Sequence, residues 1–112
     1  MYTIYGIPNC NTVKKALTHL DKQKISYEFI NFKKVPPTQS LLKDWKVAYD
    51  DWPVNKKGPT FRKIKEQFER ANASEKYKIL IENSSAIKRP ILVKNTKPIC
   101  FGYDEDFYNK LK

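Results

Sequence analysis

The chain has 112 residues, 40% of them hydrophobic and 13% aromatic, enough for one packed domain and too few for a second. Lys and Arg total 22 against 12 Asp and Glu; the resulting formal charge of +10 favours anionic partners without naming one. Two cysteines and a single histidine exclude a disulfide scaffold, a four-cysteine zinc site and a histidine-rich metal centre. No stretch approaches the roughly 20 apolar residues that span a bilayer. The opening MYTIYGIPNC lacks the basic-then-apolar order of a signal peptide. A cytoplasmic protein with no membrane partner is expected. The lysines are spread over the whole chain and form no recognised nucleic-acid motif, so direct nucleic-acid binding is not expected.

Residues 2–7 (YTIYGI) mix β-branched and aromatic side chains and read as a short buried strand. A helix follows, with Val13, Ala16, Leu17 and Leu20 at i, i+3, i+4 and i+7 and with Asn11 or Thr12 as its cap. His19 falls off that stripe and is expected to be exposed. Residues 26–32 return to strand character, giving a strand–helix–strand unit with a parallel crossover. After Pro36-Pro37, Thr38 caps a second helix with Leu41, Leu42, Trp45, Ala48 and Tyr49 as its apolar stripe. A turn-rich basic stretch leads to a third helix from about Thr60 (Phe61, Ile64, Phe68). A fourth helix starts near Ser74 (Tyr77, Leu80, Ile81). Trp45 and Trp52 read as core of this helical part.

Pro90–Lys94 and Pro98–Gly102 read as two strands of a hairpin. A closing helix runs from about Asp104, where Asp104, Glu105 and Asp106 complement the helix dipole. The order βαβ, helices, ββα specifies an α/β fold: a thioredoxin-like mixed four-stranded sheet, with a helical insertion at about residues 38–85 of a single domain. Three strands are parallel-compatible and the fourth is expected as an antiparallel edge.

Cys10 follows a strand and a Gly-x-Pro turn at the mouth of the first helix. Free N–H groups and the positive end of the helix dipole favour a thiolate there, and Lys14 and Lys15 add charge. The same amides suit a small oxyanion or a glutathione carboxylate. A cysteine near a strand end also reads as a small buried hydrophobe. The motif is Cys10-Asn11-Thr12-Val13, so no neighbouring dithiol forms, and a mixed disulfide would be resolved by an outside thiol. Cys100, in the apolar run PICFG, reads as structural; a Cys10–Cys100 disulfide stays open at this level.

The run Tyr5-Gly6-Ile7-Pro8-Asn9-Cys10-Asn11-Thr12-Val13-Lys14-Lys15-Ala16 resembles the opening of the arsenate reductase (ArsC)/Spx family, in particular its YffB-like branch. Ile87-Lys88-Arg89-Pro90-Ile91, Gly58-Pro59-Thr60-Phe61 and Gly102-Tyr103-Asp104-Glu105 fit the same pattern. The resemblance implies a thioredoxin-like domain in which Cys10 is the reactive cysteine, Arg89 an anion-binding arginine and Pro90 a cis proline. Asn11, Thr12, Lys14 and Lys57 complete the implied anion-binding set, with no metal and no bound cofactor.

The chain departs from arsenate-reducing members, which carry His-Asn-Pro before the cysteine where Gly6-Ile7-Pro8 stands here. Val13 and Lys14 replace their Ser and Arg, and Lys57 and Phe101 fall where they carry further arginines. Val13 also removes the Cys-x-x-Cys of Spx-type regulators. The implied function is a glutathione-dependent monothiol oxidoreductase, with glutathione as co-substrate and protein thiols or glutaredoxin as partners. The alternative is an Spx-like regulator that binds RNA polymerase without turnover.

Overall fold

The first strand, β1 (Tyr2–Gly6), buries Tyr2, Ile4 and Gly6 and leaves Thr3 and Tyr5 half-exposed, the period-two pattern of a strand packed on one face. In this computed structural model, which describes residues 1–111, β1 leads to helix α1 (Asn11–Lys22) and strand β2 (Tyr27–Asn31). Residues 1–32 and 89–111 make a sheet unit, and Lys33–Lys88 make a helical unit. The sheet unit is completed by β3 (Ile91–Lys94), β4 (Lys97–Phe101) and the short helix α5 (Glu105–Asn109).

The sheet order is β2-β1-β3-β4. β1 pairs parallel to β2, with Ile4 opposite Phe29, and antiparallel to β3, with Tyr5 opposite Ile91. β4 runs antiparallel to β3. Three strands therefore share a direction, as expected, but the reversed strand is the interior β3 and not an edge. Composition explains the exchange. Ile91, Leu92 and Val93 are buried, which suits a strand paired on both sides. β4 opens Lys97-Pro98, and a proline that cannot donate to a ladder belongs at an edge. Asn95 makes the hairpin turn with φ 59°, a left-handed conformation that asparagine tolerates.

The core of this unit joins Ala16 and Leu20 of α1, Tyr2, Ile4 and Leu92 of the sheet, and Tyr108 of α5. Asp104 caps α5 by accepting from the Phe107 amide at 3.1 Å, in keeping with the expected dipole role of the acidic cluster.

The helical unit contains α2 (Gln39–Tyr49), α3 (Pro59–Arg70), α4 (Ala73–Glu82) and a 3₁₀ turn, Ser84–Ala86. Thr38 caps α2 through the Leu41 amide. Pro59 takes the first position of α3, where its missing N–H costs nothing. Asn72 and Glu75 form a reciprocal capping box on α4. Trp45 is buried with Leu42, while Ala48 and Tyr49, expected on the same stripe, are exposed. Trp52 is half-buried against Phe68 and Tyr77. Val54 bridges Ile87, and Lys88 donates to the Pro53 carbonyl at 2.8 Å, tying the stretch between α2 and α3 to the end of the unit.

Candidate active site at the mouth of the first helix

The chain leaves β1 at Gly6, turns through Ile7-Pro8-Asn9 and starts α1 with Cys10 as its N-cap. The expectation that Asn11 or Thr12 caps this helix is corrected. Cys10 has extended dihedrals (φ −101°, ψ 125°), and its carbonyl accepts the first helical hydrogen bond, from the Lys14 amide at 2.9 Å. Asn11 and Thr12 are the first two helical residues, with exposed side chains. The sulfur thus stands where an N-capping serine or aspartate places its oxygen.

Gly6 permits this turn. A Cβ there would lie 2.8 Å from Val13 Cγ2 and 3.2 Å from its Cγ1, closer than side chains approach one another. Val13 is fully buried, so the strand end and the first helical turn lock together through the missing side chain. The sequence presents Gly6 as part of a Gly-x-Pro turn; the further signal for this close approach is a glycine seven residues before a β-branched helical residue.

Cys10 is half-buried and its thiol is free. Partial burial is the largest single influence on its ionisation and opposes it. The Val13 amide, a hydrogen bond from the Arg89 guanidinium, the Thr12 amide and the charge of Arg89 together outweigh that burial, and the pKa falls below the ordinary cysteine value. The neutral side chain makes no capping hydrogen bond, so the amides act chiefly on the anion. The cation at the sulfur is Arg89; Lys14 and Lys15 are exposed and do not figure among these influences.

Arg89 reaches this place because it sits just before β3. The register Tyr5 opposite Ile91 sets Arg89 and Pro90 at the carboxyl end of β1, the end from which the Cys10 turn departs. The Arg89–Pro90 bond is cis, Pro90 is buried, and its carbonyl accepts from the Gly102 amide at 2.7 Å. The sheet unit therefore holds Cys10, Asn11, Thr12, Lys14, Arg89 and Pro90. Lys57 belongs to the helical unit, exposed one residue before the α3 cap Gly58.

Cys100 differs. Burial raises its pKa, the negative charge of Asp104 adds to this, and a contact with the Asp104 amide only partly offsets them. Its thiol donates to the Gly102 carbonyl at 3.4 Å. Both cysteines are unpaired with each other. His19, expected to be exposed, is half-buried instead: its Nδ1 lies 2.7 Å from the Tyr103 hydroxyl, and its ring packs against Tyr103 and Tyr108. The partners are 84 residues apart in sequence, so no local pattern announces them. Among the described residues, no group of three or more His, Cys, Asp or Glu could hold a metal ion, and no helix is long and apolar enough to cross a membrane.

The contrast between the thiols gives a direct expectation. With a limiting neutral alkylating agent at pH 7, Cys10 is labelled well ahead of Cys100, as peptide mass mapping would show; equal labelling contradicts the site. The stability sign follows from the same shift. A thiol whose pKa is lower in the folded than in the unfolded chain adds stability as pH rises through the folded value. The stability of the wild type relative to Cys10→Ser accordingly grows with pH and levels off above the unfolded value of about 8.5.

A sheet of this order, with a single cysteine capping its first helix and an arginine before a cis proline opposite it, defines a thioredoxin-like protein built around one thiol. The chain belongs to the ArsC family, whose family model matches residues 5–111. An uncharacterized protein of Haemophilus influenzae is 33% identical over 110 residues, 96% of each chain. Among solved structures, the YffB protein PA3664 is 32% identical with a TM-score of 0.85, over 97% of this chain and 96% of its own. A possible arsenate reductase from Streptococcus mutans UA159 is 31% identical with a TM-score of 0.79, over 96% of this chain and 97% of its own. The global transcriptional regulator Spx of Listeria monocytogenes is 24% identical over 109 residues, 95% of this chain and 82% of its own length.

Proposed function

We propose that the chain is a glutathione-dependent monothiol oxidoreductase with Cys10 as nucleophile. The observation that carries this reading is the place of Cys10 as N-cap of α1, where the Val13 and Thr12 amides and the Arg89 guanidinium act on its sulfur, beside a first helical turn that holds Val13 and no second cysteine. The Cys10 thiolate attacks the glutathione sulfur of a glutathione-capped thiol. A new Cys10–glutathione disulfide forms, and the other sulfur leaves as a thiolate that takes up a proton. A second glutathione thiolate attacks the glutathione sulfur of that disulfide, releasing oxidised glutathione and restoring the Cys10 thiolate. The substrate is released as a free thiol, one free glutathione is consumed, the disulfide passes to oxidised glutathione, and no other redox partner is needed.

Arg89 holds the thiolate and steadies the anionic tripeptide, because a guanidinium stays charged and can grip a carboxylate with two N–H groups. Asn11, Thr12 and Lys14 offer donors and charge around the helix mouth, and Pro90 shapes its far wall. A reducing cytoplasm, which supplies glutathione, suits this cycle. The test is intact-mass and peptide analysis after exposure to oxidised glutathione. A glutathione adduct on Cys10, absent from Cys100 and removed by added glutathione, supports the reading. Equal adducts on both cysteines, or none, overturns it.

The Spx relatives support a second reading, a regulator that binds RNA polymerase. It expects a pull-down with the Cys10→Ser protein to recover polymerase subunits as well as the wild type does; recovery of none removes it.

A further inference from the structure

Helix α1 has two unlike faces. Val13, Ala16 and Leu20 are buried in the sheet unit. Lys14, Thr18 and Lys22 recur every four residues on the other side, with Lys15 beside them, all exposed. Together with Tyr103 and the start of α5 they line an open groove of about 890 Å³ that begins at Asn11, the residue after Cys10. Three lysines face one carboxylate in this lining, that of Glu105. None of the three has an acidic partner within ion-pair distance among the described residues. The α1 carboxylate, Asp21, accepts from the Tyr27 hydroxyl at 3.1 Å.

From Lys14 to Lys22 the helix rises about 12 Å, the span of roughly four extended residues. That is longer than a single carboxylate needs and matches a strip of peptide. Tyr103, half-buried and fixed by its hydrogen bond to His19, gives the groove one firm aromatic wall.

We propose that this groove docks an acidic polypeptide segment flanking the disulfide that Cys10 attacks, so that the preferred substrate is a protein mixed disulfide with Asp or Glu next to the modified cysteine. This rests on the Cys10 reading above and adds the substrate's chemistry to it. The covalent step is the same exchange: the Cys10 thiolate bonds the sulfur that caps the peptide's cysteine, and the peptide's cysteine sulfur departs as a thiolate that takes up a proton. Unpartnered cations beside the reacting sulfur raise the encounter rate of an anionic segment and are screened by salt.

The experiment compares mixed-disulfide formation with two short synthetic peptide disulfides, one flanked by Asp and Glu and one by Lys. A small neutral disulfide serves as a third probe. Expected for the wild type is reaction with the neutral probe, and an acidic-over-basic rate advantage of about tenfold at low salt that shrinks at high salt. In Lys15→Glu/Lys22→Glu, checked for folding by circular dichroism, the order of the two peptides reverses. Equal rates for the two peptides in the wild type, or an unchanged preference in the variant, overturns the docking groove while leaving the Cys10 reading intact. No reaction with the neutral probe overturns the Cys10 reading. The groove is then judged by fluorescence anisotropy of a labelled, thiol-free acidic peptide, where saturable binding sensitive to the double variant supports it and its absence overturns it.

Discussion

Replacing Arg89 with alanine slows alkylation of Cys10 by a neutral reagent about three- to tenfold at pH 7, and the order reverses at high pH. Arg89 gives the sulfur both a hydrogen bond and a charge. A hydrogen bond to an ionised group contributes about 1.5–3 kcal/mol, enough to cut the thiolate population at neutral pH by roughly ten- to a hundredfold. Part of that loss returns, because a more basic thiolate is a better nucleophile, with a Brønsted slope of about 0.4–0.5. The net neutral-pH effect is therefore smaller than the population change. Where both proteins are fully ionised only the nucleophilicity difference remains, and Arg89→Ala becomes the faster of the two. Arg89→Lys keeps the charge without the planar fork and falls between them. A pH–rate profile in iodoacetamide reads all three. Superimposable profiles for wild type and Arg89→Ala would show that the guanidinium does not govern the thiol.

The opposite separation, stability without reactivity, is expected at Leu20. This side chain is fully buried in the cluster that fastens α1 to Tyr2, Ile4 and Leu92. Truncation to alanine leaves a cavity at that junction and costs about 2–5 kcal/mol. Domains of this kind hold about 5–15 kcal/mol in total, so the denaturant midpoint drops steeply. Leu20 lies about 15 Å along the helix from Cys10, beyond the first turn that acts on the sulfur. Folded Leu20→Ala protein therefore keeps the wild-type pH profile of Cys10 labelling. Urea titration and labelling on the same sample check both halves; a lost pKa shift in folded protein would mean that the site depends on the whole helix and not on its first turn.

These two residues also show what a sequence can and cannot announce. Leu20 is legible because helical period is local: Val13, Ala16 and Leu20 mark one face wherever the helix ends up. Cys10 is legible for the same reason, as the residue between a strand and that period. Arg89 is not. Nothing local places residue 89 beside residue 10; that proximity comes from β3 pairing antiparallel with β1, and only the resemblance of the Arg89-Pro90-Ile91 run pointed to it. Strand order escaped for the same physical reason. The hairpin was readable from Asn95-Thr96, but which of its arms would meet β1 is decided by burial across the whole sheet. The cap assignment failed by one residue because oxygen-bearing side chains are favoured at helix starts, and here the sulfur takes that position.

The sheet unit is assembled from two separated stretches, residues 1–32 and 89–111, and this sets an order in time as well as in space. A ribosome delivers Cys10 with β1, α1 and β2, but the guanidinium that tames its sulfur emerges only after residues 33–88 have been made. Throughout that interval β1 has one bare edge, and the nascent thiol lacks its cation. The Arg89 share of the influence on Cys10 therefore arrives only once residue 89 has been made, whereas the Val13 and Thr12 amides that also lower its pKa belong to the stretch made first.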